Sequence, residues 1–229
     1  MLKDSLNEVK RNISEACKRV GRDPKDVTLI AVSKTKPVEM LSEVYNEGVR
    51  DFGENYVQEL VDKIEIMPKD IRWHMIGHLQ RNKVKYLVGK VACIHSVDSI
   101  RLAEEINERS VKSGIVTEIM AEVNIAGEES KFGFKRDEVF DFAEKVSVMK
   151  GVKLTGLMTS SPYVADPEEN RLYFRGMKSL SVDINAKNID NVNITGLSMG
   201  MTNDYVVAVE EGATHVRVGT AIFGARNYN

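Results

Sequence analysis

The feature that most constrains this chain is a repeated change of texture. Short runs rich in Val, Ile, Leu and Ala recur along it: "VTLIAVSK", "GVRDFGEN", "IRWHMIGHL", "VACIHSVDS", "VTEIMAEVNIA", "VKLTGLMTS", "VNITGLSMG" and "THVRVGTAIFG". They are too short for stable helices, and their β-branched residues suit strands. Between them lie amphipathic stretches such as "SIRLAEEINERSVKSG" and "RDEVFDFAEKVSVMKG". In the first, Leu102, Ile106 and Ser110 share a face while Glu104, Glu105 and Glu108 lie elsewhere, as in a helix packed on one side. Gly114 and Gly151 stand where helix C-caps are expected. A further amphipathic helix is expected near residues 3 to 20, ahead of the first strand.

Alternating strand and helix argue for a parallel sheet with helices outside it. About eight such units in 229 residues fit an α/β fold of the (β/α)8 TIM-barrel type, with an extra N-terminal helix. The rival, an open doubly wound sheet, lacks its G-x-G-x-x-G after the first strand. No Pro/Gly/Ser-rich linker divides the chain, and "TSSPYVADPEEN" reads as one long loop after a strand. Residues 1–229 are therefore expected to form a single barrel domain. Apolar residues make up 42% of the chain, enough for a real core, and a net charge of −2 argues against a general nucleic-acid binder. Cys17 and Cys93 read as ordinary thiols of a reducing compartment. No apolar run approaches the roughly 20 residues of a membrane span. The start, "MLKDSLNEVKRN", is charged where a signal peptide is apolar. The expectation is a soluble cytoplasmic protein.

In such a barrel the chemistry sits at the C-terminal ends of the strands. Strand alternation places Ile30, Val32 and Lys34 on one face, and His215, Arg217 and Gly219 on one face opposite Val216 and Val218. Arg217 then points inward, where a cation is costly without a partner. A structural ion pair with Glu122 is the plainer alternative. "SMGM" and "GTAIFG" place Ser198, Gly200, Gly219 and Thr220 in the last two loops, where barrels of this type hold phosphate on backbone amides. An inward lysine among other cations loses its proton readily and can form a Schiff base with an aldehyde. Lysine, phosphate cradle and an arginine for a ring nitrogen are together the protein's share of a pyridoxal phosphate site. Lys36 has the same parity as Lys34 but precedes Pro37, which opens the next helix, so Lys34 is the preferred residue. A metal on His74 and His78 would need helical geometry and a third ligand, and none is expected. His78 at a strand end suits hydrogen bonding to a ligand, Asn55 suits a helix cap or a ligand contact, and Met158 and Met199 suit packing or a ring-pocket wall.

Taken in order, "AVSKTKP", "FGENYVQE", "WHMIGHLQRNK", "SVDS", "GLMT", "LSMGMTND" and "HVRVGTAIFG" resemble the pyridoxal phosphate homeostasis protein family. These are barrels related to the N-terminal domain of alanine racemase, and the motifs span residues 29 to 224. The resemblance implies that Lys34 carries pyridoxal phosphate as an aldimine and that Arg217 faces the pyridine nitrogen. It implies a phosphate held by Ser198, Gly219 and Thr220 with backbone help near Met199 and Gly200, and a pocket lined by Asn55, His78 and Met158. Racemases of this type draw a second acid/base, a tyrosine, from a separate C-terminal domain, which is not expected here; Tyr228 is a stray candidate. The expected function is therefore binding and homeostasis of the cofactor, with no catalytic residues, and supply to pyridoxal phosphate-dependent apo-enzymes by a monomer. A weakly active amino-acid racemase or lyase is the first alternative. A Schiff-base aldolase acting on sugar phosphates through Lys34 is the second.

Overall fold

In a computed structural model, which describes residues 2–225, eight short strands pair in chain order and the last returns to the first. They are β1 (Thr28–Val32), β2 (Asp51–Glu54), β3 (Arg72–Met75), β4 (Cys93–Val97), β5 (Thr117–Glu122), β6 (Val152–Met158), β7 (Gly196–Ser198) and β8 (His215–Val218). All pairings are parallel, and β1 closes the barrel on β8 with Ile30 opposite Arg217. This is the expected (β/α)8 TIM barrel.

Alternation sorts the side chains. Ala31, Phe52, Trp73, Met75, Val216 and Val218 face outward into the main core beneath the helices. The inward set is unusually polar for a barrel, whose interior is commonly filled by branched aliphatics. His74, His95, Ser198 and Arg217 are all buried in it, beside a small apolar group of Cys93, Met120 and Met158. A register shift between Ile94 and Val97 breaks the alternation of β4, so both residues join the outer core while His95 remains inside.

The helices are α1 (Leu2–Arg19), α2 (Val38–Asn46), α3 (Val57–Ile66), α4 (Ile100–Lys112), α5 (Glu138–Ser147), α6 (Arg171–Ala186), α7 (Tyr205–Glu210) and α8 (Thr220–Phe223). The first of them buries Leu6, Val9, Ile13, Ala16 and Cys17, a 3–4 spacing that forms one stripe. In α4 the buried face is Leu102, Ala103, Ile106 and Ser110, as the sequence pattern predicts. Two units depart from that pattern. After β3 the chain makes only a 3-10 turn over Arg81–Tyr86, and after β8 a single helical turn. The glycine caps divide as well. Gly114 adopts φ +67° just past α4, a left-handed cap, whereas α5 ends at Ser147 and Gly151 caps nothing. Gly151 instead lies against Asn107, where an added Cβ would come within 2.5 Å of the carbonyl oxygen.

No helix among the described residues is long and apolar enough to cross a membrane. Nor do the described residues hold a metal-binding cluster of His, Cys, Asp or Glu; His74 and His78 sit on a strand and on the loop after it, and do not converge.

Candidate functional site

The C-terminal mouth of the barrel opens into a cleft of about 600 Å3. Val32 and Lys34 line it from the end of β1, Asn55 from the end of β2, Ile76 from the end of β3, and Arg217, Gly219 and Thr220 from β8 and the start of α8. The loop after β6 contributes Ser160 to Tyr163, and the loop after β7 contributes Met201 to Asp204. Five of the expected site residues thus meet around one space: Lys34, Asn55, Arg217, Gly219 and Thr220.

The two lysines of "SKTKP" have different fates. Lys34 is half-buried in the cleft wall. Lys36 turns away, and its Nζ donates to the carbonyls of Phe223, Gly224 and Ala225 at 2.9–3.1 Å, so that it caps the C-terminus of α8. Between them Thr35 has φ +62°, a left-handed conformation that is strained for a β-branched residue. A buried network holds this bend. The Thr35 N–H donates to Glu59 Oε1, and Lys63 Nζ donates to Glu59, Glu54 and the Ser33 carbonyl at 2.7–2.8 Å. Burial raises the Glu54 carboxyl above its usual range, and the Lys63 ammonium opposes that rise.

Arg217 is 5% exposed. Its Nη1 donates to Ser198 Oγ at 2.7 Å and its Nη2 to the Thr159 carbonyl at 2.8 Å. Burial pulls its pKa down to about 10, against the fields of Glu122 and Asp204, and it stays a cation at neutral pH. Glu122 acts on it through that field; the hydrogen bonds of the guanidinium go to the serine and the carbonyl. The Glu122 carboxyl itself is pushed up to about 7, first by burial and then by Asp98.

The two loops that close the cleft are stitched together by Asp204. Its carboxylate accepts from Ser161 Oγ at 2.5 Å, Asn170 Nδ2 at 2.8 Å and the Met201 N–H at 2.7 Å. Gly200 makes the turn beneath them at φ +89°, and an added Cβ there would reach Ala208 Cβ at 2.5 Å.

Five expected residues fall elsewhere. Ser198 lies one layer below the rim, fully buried, with its hydroxyl engaged by Arg217 and by His95 Nδ1 at 2.8 Å. Met199 faces outward into the main core, and its N–H donates to the His215 carbonyl. Met158 packs inside the barrel with Cys93 and Met120. His78 stands on the rim outside the cleft, stacked on Phe132 with ring centroids 3.8 Å apart and paired with Asp98 at 3.1 Å. Gly200 contributes a turn, its carbonyl accepting from the Arg217 N–H. Tyr228 lies outside the described residues.

Sequence patterns do not single out Thr202, Asn203, Asp204, Ser161 and Tyr163, or the histidine beneath Arg217. The loop residues stand next to the motifs in "SMGMTND" and "TSSPY", but no periodicity orients a loop side chain. His95 was detectable by parity with Cys93.

One polar atom in the cleft wall has no partner among the described residues: Asn55 Oδ1 is buried and makes no hydrogen bond. Such an acceptor is costly unless a donor meets it, and its place in the wall fits a polar guest. A lysine, a buried arginine and a glycine–threonine turn on the same cleft suit a guest with a carbonyl, a heteroaromatic ring and an anionic group.

Comparisons with known proteins place the chain in a family. The family described as "Alanine racemase, N-terminal domain" matches residues 5–227. The pyridoxal phosphate homeostasis protein of Aquifex aeolicus is 45% identical over 98% of both chains. That of Escherichia coli K12 is 36% identical over 98% of this chain and 97% of its own. Among solved structures, PipY of Synechococcus elongatus with pyridoxal phosphate bound has 33% identity and a TM-score of 0.80, covering 93% of this chain and all of that one. Alanine racemase of Clostridium difficile, at 16% identity and a TM-score of 0.75, shares the fold and extends well beyond it, since 57% of its length is covered. With a family match over nearly its whole length and end-to-end relatives at 36–45% identity, the chain belongs to the pyridoxal phosphate homeostasis protein family.

Proposed function

We propose that this barrel binds pyridoxal phosphate through Lys34 and serves cytoplasmic vitamin B6 homeostasis, holding the cofactor and releasing it to apo-enzymes. The observation that carries this reading is the convergence of Lys34, Arg217, Gly219 and Thr220 on one cleft whose wall includes the unpaired Asn55 Oδ1. PipY, a relative over its whole length, holds the same cofactor. When bound, pyridoxal phosphate supplies an aldehyde that condenses with a lysine amine and a ring that can withdraw electrons. Lys34 is the amine offered to it, since Lys34 lines the cleft while Lys36 turns to the end of α8. Arg217 presents a fixed cation to the ring nitrogen, which disfavours a proton there and weakens the ring as an electron sink. Gly219 and Thr220, with Thr202 beside the first turn of α8, receive the phosphate, and Asn55 accepts a hydrogen bond from the guest.

Binding without turnover follows from what else faces the cleft. A racemase needs a second acid/base across the substrate from its lysine. Among the described residues the remaining candidates are Tyr163, which is 93% exposed, and Asp204, whose carboxylate accepts from three donors. We further propose that residues 1–229 act as one unit and as a monomer, which sedimentation of the loaded protein would check.

The test is borohydride reduction of the loaded protein followed by peptide mapping. The pyridoxyl group is expected on Lys34, absent in Lys34→Ala and retained in Lys36→Ala. Labelling on Lys36, or equal labelling of all three proteins, overturns the assignment. Deuterium exchange at the α-carbon of alanine, dependent on Lys34, would favour the racemase reading instead.

A further inference from the structure

Beneath the cleft, a line of hydrogen bonds crosses the barrel interior to the opposite mouth. Arg217 Nη1 bonds Ser198 Oγ at 2.7 Å, and Ser198 Oγ bonds His95 Nδ1 at 2.8 Å. His95 Nε2 bonds His74 Nδ1 at 2.9 Å, and His74 Nε2 bonds Asp51 Oδ1 at 3.0 Å. Arg72 then pairs with Asp51, its Nε 2.8 Å from Oδ1. Asp51, Arg72 and His74 line a second cleft of about 340 Å3 at the N-terminal mouth, so the line begins at solvent on the face opposite the cofactor cleft.

The hydrogens along the line constrain one another. Burial works to raise the Asp51 carboxyl, but the bonds from His74 and Arg72 outweigh it and hold the group below its usual range, ionised. An ionised carboxylate only accepts, so His74 Nε2 carries the hydrogen. In the arrangement where His74 Nδ1 accepts, His95 carries its hydrogen at Nε2. His95 is kept neutral by burial and by the neighbouring His74, His215 and Arg217. Its Nδ1 must therefore accept from the Ser198 hydroxyl, whose lone pairs remain for Arg217. The guanidinium is anchored on an oxygen whose orientation is set two histidines away.

We propose that His95, His74 and Asp51 are positioning residues for the cofactor's ring, acting through Ser198 on Arg217 and exposing that anchor to protonation at the opposite mouth. The inference rests on the reading of the upper cleft as a pyridoxal phosphate site. A second proton on His74 makes its Nδ1 a donor and moves the His95 hydrogen to Nδ1. Ser198 Oγ then accepts from both His95 and Arg217, and its own hydrogen has to turn away from the line. Acid at one mouth thereby changes the field under the ring at the other.

Charged and titratable groups face His74 from several strands. Asp51 on β2 and Glu118 on β5 bring carboxylates to the same mouth. Arg72 on the strand of His74 and Lys153 on β6 bring cations to it. On β8, His215 is driven down to about 4, chiefly by burial, and is neutral at physiological pH. Burial raises the Cys93 thiol on β4, so it adds no charge. The strands β1 and β7 bring no titratable group to this mouth, only Thr28 and Gly196.

Two measurements test this. In 15N-histidine-labelled protein without added cofactor, His74 and His95 at pH 8 are expected as the Nε2–H tautomers. His95 found as the Nδ1–H tautomer overturns the relay. In protein loaded with pyridoxal phosphate, absorption and dissociation constant are followed from pH 8 to 5 for the wild type and Asp51→Asn. Loss of the Asp51 charge is expected to move the wild-type transition to lower pH. Coincident profiles sink the relay while leaving the cofactor reading intact. A wild type that takes up no cofactor sinks both, whatever the tautomers show.

Discussion

At the scale of the residue, the site depends on groups whose charge is costly where they sit. Arg217 gives a buried cation two acceptors and a third group, Glu122, at a distance. In Arg217→Lys one ammonium cannot span Ser198 and the Thr159 carbonyl. One buried acceptor is then left unpaired, at a cost of about 1–3 kcal/mol. Thermal melts and cofactor titration of that variant should show lower stability and weaker binding together. Glu122 has a pH signature. Its pKa in the folded chain, about 7, lies above that of an exposed carboxyl, so the folded state holds the proton more tightly than the unfolded state. Stability from this group is present below the unfolded pKa and is lost as pH rises to about 7. Glu122→Gln should therefore melt higher than the wild type at pH 8 and gain nothing at pH 4.

Parity alone found Lys34 and Arg217, because side chains in a strand alternate with period two and Val216 and Val218 marked the outer face of β8. The same rule could not tell Lys36 from Lys34. Only the fold brings the carbonyls of Phe223 to Ala225 within reach of Lys36, across more than 180 residues of chain. Ser198 was read as a phosphate ligand from its place at a strand end; the pairing of Met158 with Ser198 and of Ser198 with His215 sets it a layer lower.

At the scale of the element, the lysine loop and the loops after β2 and β3 are held by close contacts. Gly77 lies against Asn55, and a Cβ there would come within 2.5 Å of the Asn55 carbonyl and 2.6 Å of its Cα. Gly77→Ala must push backbone aside, a strain of about 1–3 kcal/mol, and displaces the one residue whose Oδ1 waits for a partner in the cleft. Cofactor affinity should fall further than stability does, which a titration and a melt on the same sample would separate. Helices were legible where an amphipathic stripe was long, as in α1 and α4. The single turns after β3 and β8 were not, since a few residues carry no period to read.

At the scale of the whole molecule, the first helix ties the start of the chain to its end. Arg19 pairs with Glu210, Arg22 donates to the carbonyls of Val209 and Ala213, and Asn12 donates to the Tyr205 hydroxyl. Leu6 of the same helix is fully buried. Leu6→Ala should cost about 2–5 kcal/mol as a lowered melting temperature, with the cofactor spectrum unchanged in the folded fraction.

The sequence by itself determined the barrel, its N-terminal helix and which strand faces turn inward. Those follow from local periods that each segment carries alone. Only the tertiary structure decided which inward residues reach the cleft, which lysine is spent on a helix end, and that two histidines underlie the arginine. Those depend on strand register and on closure of β8 against β1, which relate residues far apart in the chain and leave no periodic trace in either segment.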